Sequence, residues 1–221
     1  MSMPAAPSLY KEPGEGAHQR STRAQAWITI GAFAVYTFSI GVVAWCAHLH
    51  ADAWRAAVEG RGTVDDARHI QSLVERSVRS TWLTLAVGAI TVSVWAGRVA
   101  SNARSRGMPV NPARARWMWF IPLFGIGKSI RELENAVAGT DYSNHRLRRW
   151  LVSVQIFTVL YFFFLLTAGA GVTNTSEALS ALDRQAILVS LLFVGNVVTT
   201  VVAADAILNT DRALTLRQAP A

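Results

Sequence analysis

The chain has 221 residues, 52% of them hydrophobic and only 16% charged, against roughly 25% charged in soluble domains. The net charge of +7 invites a nucleic-acid reading, but the lysines and arginines gather beside apolar runs, where they report orientation in a membrane, so no nucleic-acid partner is expected. The single cysteine, Cys46, excludes an intramolecular disulfide and any cysteine-built zinc or redox site.

Residues 1–23 hold Pro4, Pro7, Pro13, Gly14 and Gly16 and show no apolar period, which reads as a flexible cytoplasmic tail. Four uncharged runs follow, at 24–47, 80–97, 150–176 and 185–204. A helix rising 1.5 Å per residue needs roughly 20 apolar residues to cross a hydrocarbon core about 30 Å thick. The runs therefore predict spans at about 24–47, 80–100, 150–173 and 185–207. The fold class expected is all-α: a polytopic membrane protein built as a four-transmembrane-helix bundle over 24–208, with a short cytoplasmic tail at 209–221. The first run is much longer than the roughly 7–15 residues of a signal-peptide core and is read as an uncleaved span. Fifteen basic residues fall on the side holding both termini and residues 101–149, and six on the other. Cytoplasmic segments are the basic ones, so both termini are placed inside a cell membrane, with 49–79 and 177–184 outside. Trp27, Trp45, Trp82 and Trp150 stand near run ends, where indole rings favour headgroups.

In the first outer connection, Thr63 and Asp66 form a helix-start signature. Ala67, Ile70, Leu73, Val74 and Val78 then recur at helical spacing opposite Arg68, Glu75, Arg76 and Arg79. This amphipathic outer helix either lies along the headgroups or runs on into the second span, and the second arrangement is the favoured one. His48, His50 and His69 share the region, but the 48/50 spacing points the two rings apart, so no metal and no cofactor is expected. Arg98 ends the second span with its guanidinium reaching the phosphates. The helix is predicted to continue to about Arg106 and to stop at Gly107, with Pro109 and Pro112 keeping it from resuming immediately.

The inner connection, 101–149, carries the most individual pattern. Residues 117–127 are uncharged, too few to span, which suggests an interfacial element. Pro122, Gly125 and Gly127 are expected to interrupt any helix, with a restart from Ser129 that puts Ile130, Leu133 and Val137 on one side. Arg114, Arg116, Lys128 and Arg131 surround Trp117 and Trp119, a combination suited to anionic inner-leaflet lipid or to a partner. An equally weighted placement folds this segment under the bundle as a plug. Gly127-Lys128-Ser129 looks like the end of a phosphate loop, but Pro122 stands where that loop needs glycine and no strand precedes it.

Trp95, Arg98, Asn102, Ala103 and Gly107, then Trp117, Trp119, Pro122 and Arg131-Glu132-Leu133, resemble the family catalogued as domain of unknown function 4328, multi-pass membrane proteins common in actinobacteria. The order of two spans, a basic loop with an aromatic–proline element and two further spans is similar over most of 26–208. After Pro122 the chain departs from the family, having Gly125-Ile126-Gly127-Lys128 where a second tryptophan and proline are usual. The resemblance implies membrane topology and no activity.

Asn174-Thr175-Ser176 matches a glycosylation acceptor on the outer side, meaningful only in a eukaryotic secretory route. In the fourth span Gly195, Asn196, Thr199, Thr200 and Ala203 form a stripe of small and hydroxylated residues, read as a helix-packing seam. Asp205 lies on the opposite helical face from Asn196 and is expected to pair with Arg98 or Arg104. Three function classes follow. A non-enzymatic component binding lipid or a membrane-protein partner is favoured. An oligomeric channel, transporter or membrane-depolarising toxin comes next, built from several copies of the chain. An intramembrane lipid-modifying enzyme comes last, because the uncharged spans supply no acid–base pair.

Overall fold

A computed structural model describes residues 21–121, 124–138, 145–168 and 175–216; the readings of the 1–20 tail, Pro122, Asn174 and 217–221 lie outside them. The elements are α1 (Arg23–Val58), α2 (Val64–Arg104), α3 (Pro112–Trp117) with a 3-10 turn at Met118–Phe120, α4 (Phe124–Val137), α5 (His145–Ala168) and α6 (Thr175–Leu216). Among the described residues the chain is all-helical, without a strand. Three helices are long and apolar enough to cross a membrane: α1, α2 and the Thr175–Leu214 part of α6.

The uncharged runs understate these helices. With 36, 41 and 42 residues, α1, α2 and α6 are about 54, 61 and 63 Å long, well beyond the thickness of a hydrocarbon core. Charge marks where lipid ends; it does not stop a helix. The amphipathic segment that starts at Thr63 is thus the first part of α2, continuous with the apolar run. Its start is capped by Thr63, whose Oγ1 accepts the Asp66 amide at 3.1 Å and donates to Asp66 Oδ2 at 2.6 Å. At the other end α2 stops at Arg104, and Gly107 takes φ +82°, with the Met108 amide closing on the Ala103 carbonyl at 3.2 Å. Glycine alone enters that left-handed conformation without steric cost.

Antiparallel packing sets the order α2–α1–α6–α5, with α1 against both α2 and α6, and α5 against α6. Polar contacts run the length of α1 and α6: Thr22 with Asp211, Thr37 with Thr200 at 2.7 Å, His48 with Ser190 at 3.0 Å, and Arg55 with Asp183 at 2.5 Å. Ser39 and Thr84 join α1 to α2 at 2.8 Å. The outward faces stay apolar and exposed, including Phe38 at 73% and Leu83 at 70%. Such surface suits lipid and would be unfavourable in water.

A cluster of buried residues lies at one end. There α3, the 3-10 turn and α4 fold across α2, and Val99, Ala103, Ile130, Leu133, Leu147, Ile207 and Leu214 make one buried cluster. Sequence expectation put the α4 start at Ser129, yet α4 begins at Phe124 and includes Gly125 and Gly127. Glycine at a first turn is no barrier, because those amides lack intrahelical partners in any case.

Candidate functional site

The α3–α4 unit is built from caps that reach across it. Asn111 caps α3, its Oδ1 accepting the Arg114 amide at 3.1 Å, and Pro112 occupies the first helical position, where a missing N–H costs nothing. From α4, buried Ser129 donates to the Ala115 carbonyl at 3.0 Å. Buried Glu132 accepts the Asn111 amide at 2.8 Å and Arg114 Nη1 at 3.2 Å. One helix therefore satisfies both ends of the other. Two glycines permit the close approach. A Cβ on Gly97 of α2 would lie 2.7 Å from Arg116 Nε. A Cβ on Gly125 would strike the Met118 carbonyl oxygen and stand 2.6 Å from Ile121 Cβ.

This unit divides the aromatic segment between a buried and an exposed part. Trp119 turns inward, 9% exposed, and stacks on Trp150 with centroids 5.1 Å apart and planes at 29°. Trp117 turns outward, 62% exposed, beside Phe120 at 5.9 Å and exposed Ile121. Arg116, Lys128 and Arg131 of the same unit are also exposed. Arg114 is held by Glu132. The Gly127-Lys128-Ser129 sequence straddles the boundary, Lys128 exposed and Ser129 fully buried, and a 3-10 turn precedes α4.

Trp150 is the centre of the buried aromatics, 1% exposed, so its ring is packed within the protein and is not half exposed as an indole among headgroups would be. Trp95 approaches it at 6.4 Å and Phe33 at 6.3 Å, edge to face. Trp27, Trp45 and Trp82 stay more than half exposed. Above the Trp119–Trp150 floor lies a cavity of about 410 Å³ bounded by α1, α2, α5 and α6, with Tyr36, Val92, Val154 and Asn196 in its walls.

Of the seam residues, Asn196 is buried and its Nδ2 donates to Thr37 Oγ1 on α1 at 2.8 Å. Thr200 joins the same contact, while Thr199 donates to the Gly195 carbonyl at 3.0 Å and turns toward the Ser153 carbonyl of α5 at 3.5 Å. Ala203 is buried in the core. Gly195 is not a point of forced close approach, since a Cβ there would meet Phe157 at an ordinary 3.7 Å. Asp205 pairs with Arg146 at 2.5 Å, not with Arg98 or Arg104. The cause is the helix order: α6 lies between α1 and α5, so the face opposite Asn196 meets the start of α5 and not the end of α2.

Sequence reasoning missed Glu132 and Ser129 as clamps and Thr37 as the partner of Asn196. Only the Arg131-Glu132-Leu133 resemblance touched the first, and an isolated threonine within an apolar run gives no signal of its partner. Among the described residues no cluster of three or more His, Cys, Asp or Glu side chains could hold a metal; His48 bonds Ser190, and Trp54 donates to His50 Nε2 at 2.8 Å. No protein-family model, curated protein or solved structure matches the chain, so the family resemblance rests on its quoted residues alone.

Proposed function

We propose that this is a non-enzymatic integral membrane protein that crosses the cell membrane four times and engages anionic inner-leaflet lipid through its α3–α4 unit. In this reading α5 supplies the third crossing, both termini and α3–α4 face the cytoplasm, and the protruding ends of α1, α2 and α6 face outward. The observation that carries it is the exposed Trp117–Phe120–Ile121 surface on the same unit as exposed Arg116, Lys128 and Arg131. Apolar rings insert among acyl chains while cations meet phosphates, and each cation near an anionic surface contributes about 1 kcal/mol.

Topology is tested in a Cys46→Ala background by impermeant thiol labelling. Thr63→Cys should react from outside and Ser105→Cys from inside. Lipid engagement is tested by reconstitution with phosphatidylcholine and phosphatidylglycerol, followed by native mass spectrometry of retained lipid. The triple variant Arg116→Gln, Lys128→Gln, Arg131→Gln should retain at least tenfold less phosphatidylglycerol, consistent with about 3 kcal/mol of lost attraction. Equal retention would remove this role.

A further inference from the structure

We infer that the cavity between α2 and α5 binds a neutral, ring-bearing carbonyl compound that enters from the bilayer. The inference rests on the four-crossing reading above, which places this cavity at membrane depth. Its lining contains no charged side chain, so an ionic ligand would lose its hydration without compensation. Its volume of about 410 Å³ falls within the range of small-molecule sites, about 300–1,000 Å³. Its floor is the Trp119–Trp150 stack, a surface on which a flat ring gains both contact area and quadrupole attraction.

The hydrogen-bond inventory of the walls specifies the polar part of the ligand. Thr158 already donates to the Val154 carbonyl at 2.7 Å and Thr199 to the Gly195 carbonyl at 3.0 Å, while Thr200 and Asn196 are joined to Thr37. The Tyr36 and Tyr161 phenols also line the cavity, and among the described residues neither has a hydrogen-bond acceptor. Both phenol O–H groups are therefore unspent donors, and a ketone, quinone or ester oxygen is one neutral group that accepts from them. An alkyl chain alone would leave both phenols unanswered.

The route is set by how α2 and α5 meet. Trp82 touches Tyr161 at a centroid distance of 6.3 Å, and Trp95 touches Trp150 at 6.4 Å. The two ring pairs are 13 residues apart on α2, about 20 Å along its axis. Between them exposed Leu85 and partly exposed Ala89 and Val154 border the cavity. The opening thus faces sideways, toward lipid.

The full chain in lipid nanodiscs is irradiated with benzophenone, which is neutral, has two rings and one acceptor, and bonds to nearby C–H groups. Adducts should concentrate on peptides containing Val92 and Val154, and excess phenyl benzoate should reduce them at least tenfold. Diphenylmethane, which has the rings without the oxygen, should compete at least tenfold less well. Ala89→Trp fills the opening and should lower these adducts tenfold while those at lipid-facing Phe38 persist. If that variant loses helical circular dichroism, Tyr36→Phe with Tyr161→Phe decides: benzophenone should need about tenfold more to half-saturate, with diphenylmethane potency unchanged. Adducts scattered over lipid-facing positions and indifferent to phenyl benzoate would overturn the inference. Equal competition by diphenylmethane would overturn the carbonyl assignment. Thiol labelling of Thr63→Cys and Ser105→Cys from one side would instead sink the four-crossing reading beneath it.

Discussion

Gly125 and Gly127 sit two residues apart in the first turn of α4, and substituting each by alanine should move stability in opposite directions. At Gly127 an added Cβ meets, among the described residues, only Leu151 Cδ1, at 3.9 Å. Gly127→Ala therefore gains helix propensity without a clash, up to about 1 kcal/mol. At Gly125 the same methyl group strikes the Met118 carbonyl oxygen and crowds Ile121 Cβ at 2.6 Å. A backbone oxygen cannot rotate away as a flexible side chain would. Relief requires the 3-10 turn to move off α4, which also pulls Trp119 from Trp150. Overpacking costs about 1–3 kcal/mol, and the ring stack adds about 0.5–1.5 kcal/mol. After the propensity gain, Gly125→Ala should lose about 2 kcal/mol. The gap between the variants is then about 3 kcal/mol, or roughly 6–12 °C in Tm for a chain of this size. Thermal unfolding in one detergent, followed by circular dichroism, reads the gap directly. Equal shifts for the two variants would refute the close contact between the 3-10 turn and α4.

Asn196→Leu should lower stability by about 1–2 kcal/mol, and Thr37→Val should add little to it, because both remove the same α1–α6 contact; additive losses in denaturant titrations would deny the pairing. In a double-mutant cycle, Asp205→Asn and Arg146→Gln should show a coupling of about 0.3–1 kcal/mol, appropriate to a half-exposed pair. Arg98→Gln should be additive with Asp205→Asn, and coupling there would restore the pairing read from sequence. Burial holds the His50 imidazole below its ordinary value of 6.5, and the Trp54 N–H donates to its Nε2, a bond that only the uncharged ring accepts. The unfolded chain takes up this proton as pH falls through about 6.5 while the folded chain resists it. Stability is therefore full above 6.5 and declines below, down to the folded value. His50→Gln should flatten that part of the pH–stability curve, and an unchanged slope would reject the assignment.

The helices, the Thr63–Asp66 cap and the Gly107 stop were legible because each is a local matter: a run of apolar residues, an oxygen three residues from an amide, a backbone with φ above zero. Helix ends beyond the lipid were not, since α1 continues past Ala47 to Val58 through residues as polar as His48, His50 and Asp52. The direction faced by an indole was equally hidden. Trp117 and Trp119 share composition, neighbours and charge context, yet one is exposed and the other buried. That choice depends on where Gly125 lets α4 sit against the Met118–Phe120 turn. Asp205 shows the same limit for ion pairs. Its helical face could be computed from 100° per residue, but the identity of the arginine it meets depends on α6 lying beside α5.

Unequal fastening around the ring of helices accounts for the location of the cavity. Within lipid the hydrophobic effect no longer drives one apolar helix against another, so interhelical hydrogen bonds and close packing decide which faces hold together. On the α1–α6 side those bonds recur from Thr22–Asp211 to Arg55–Asp183. On the α2–α5 side the contacts are aromatic, Trp82 with Tyr161 and Trp95 with Trp150. Rings hold the two backbones apart at two levels and leave space between. The α3–α4 unit closes that space from below by inserting Trp119. Replacing Trp82 with alanine therefore widens the opening, whereas replacing Trp119 removes its floor, and these two losses have different consequences. The first should speed benzophenone capture without altering its half-saturating concentration, and the second should raise that concentration. Identical kinetics in the two variants would mean that the ring pairs do not frame an entrance.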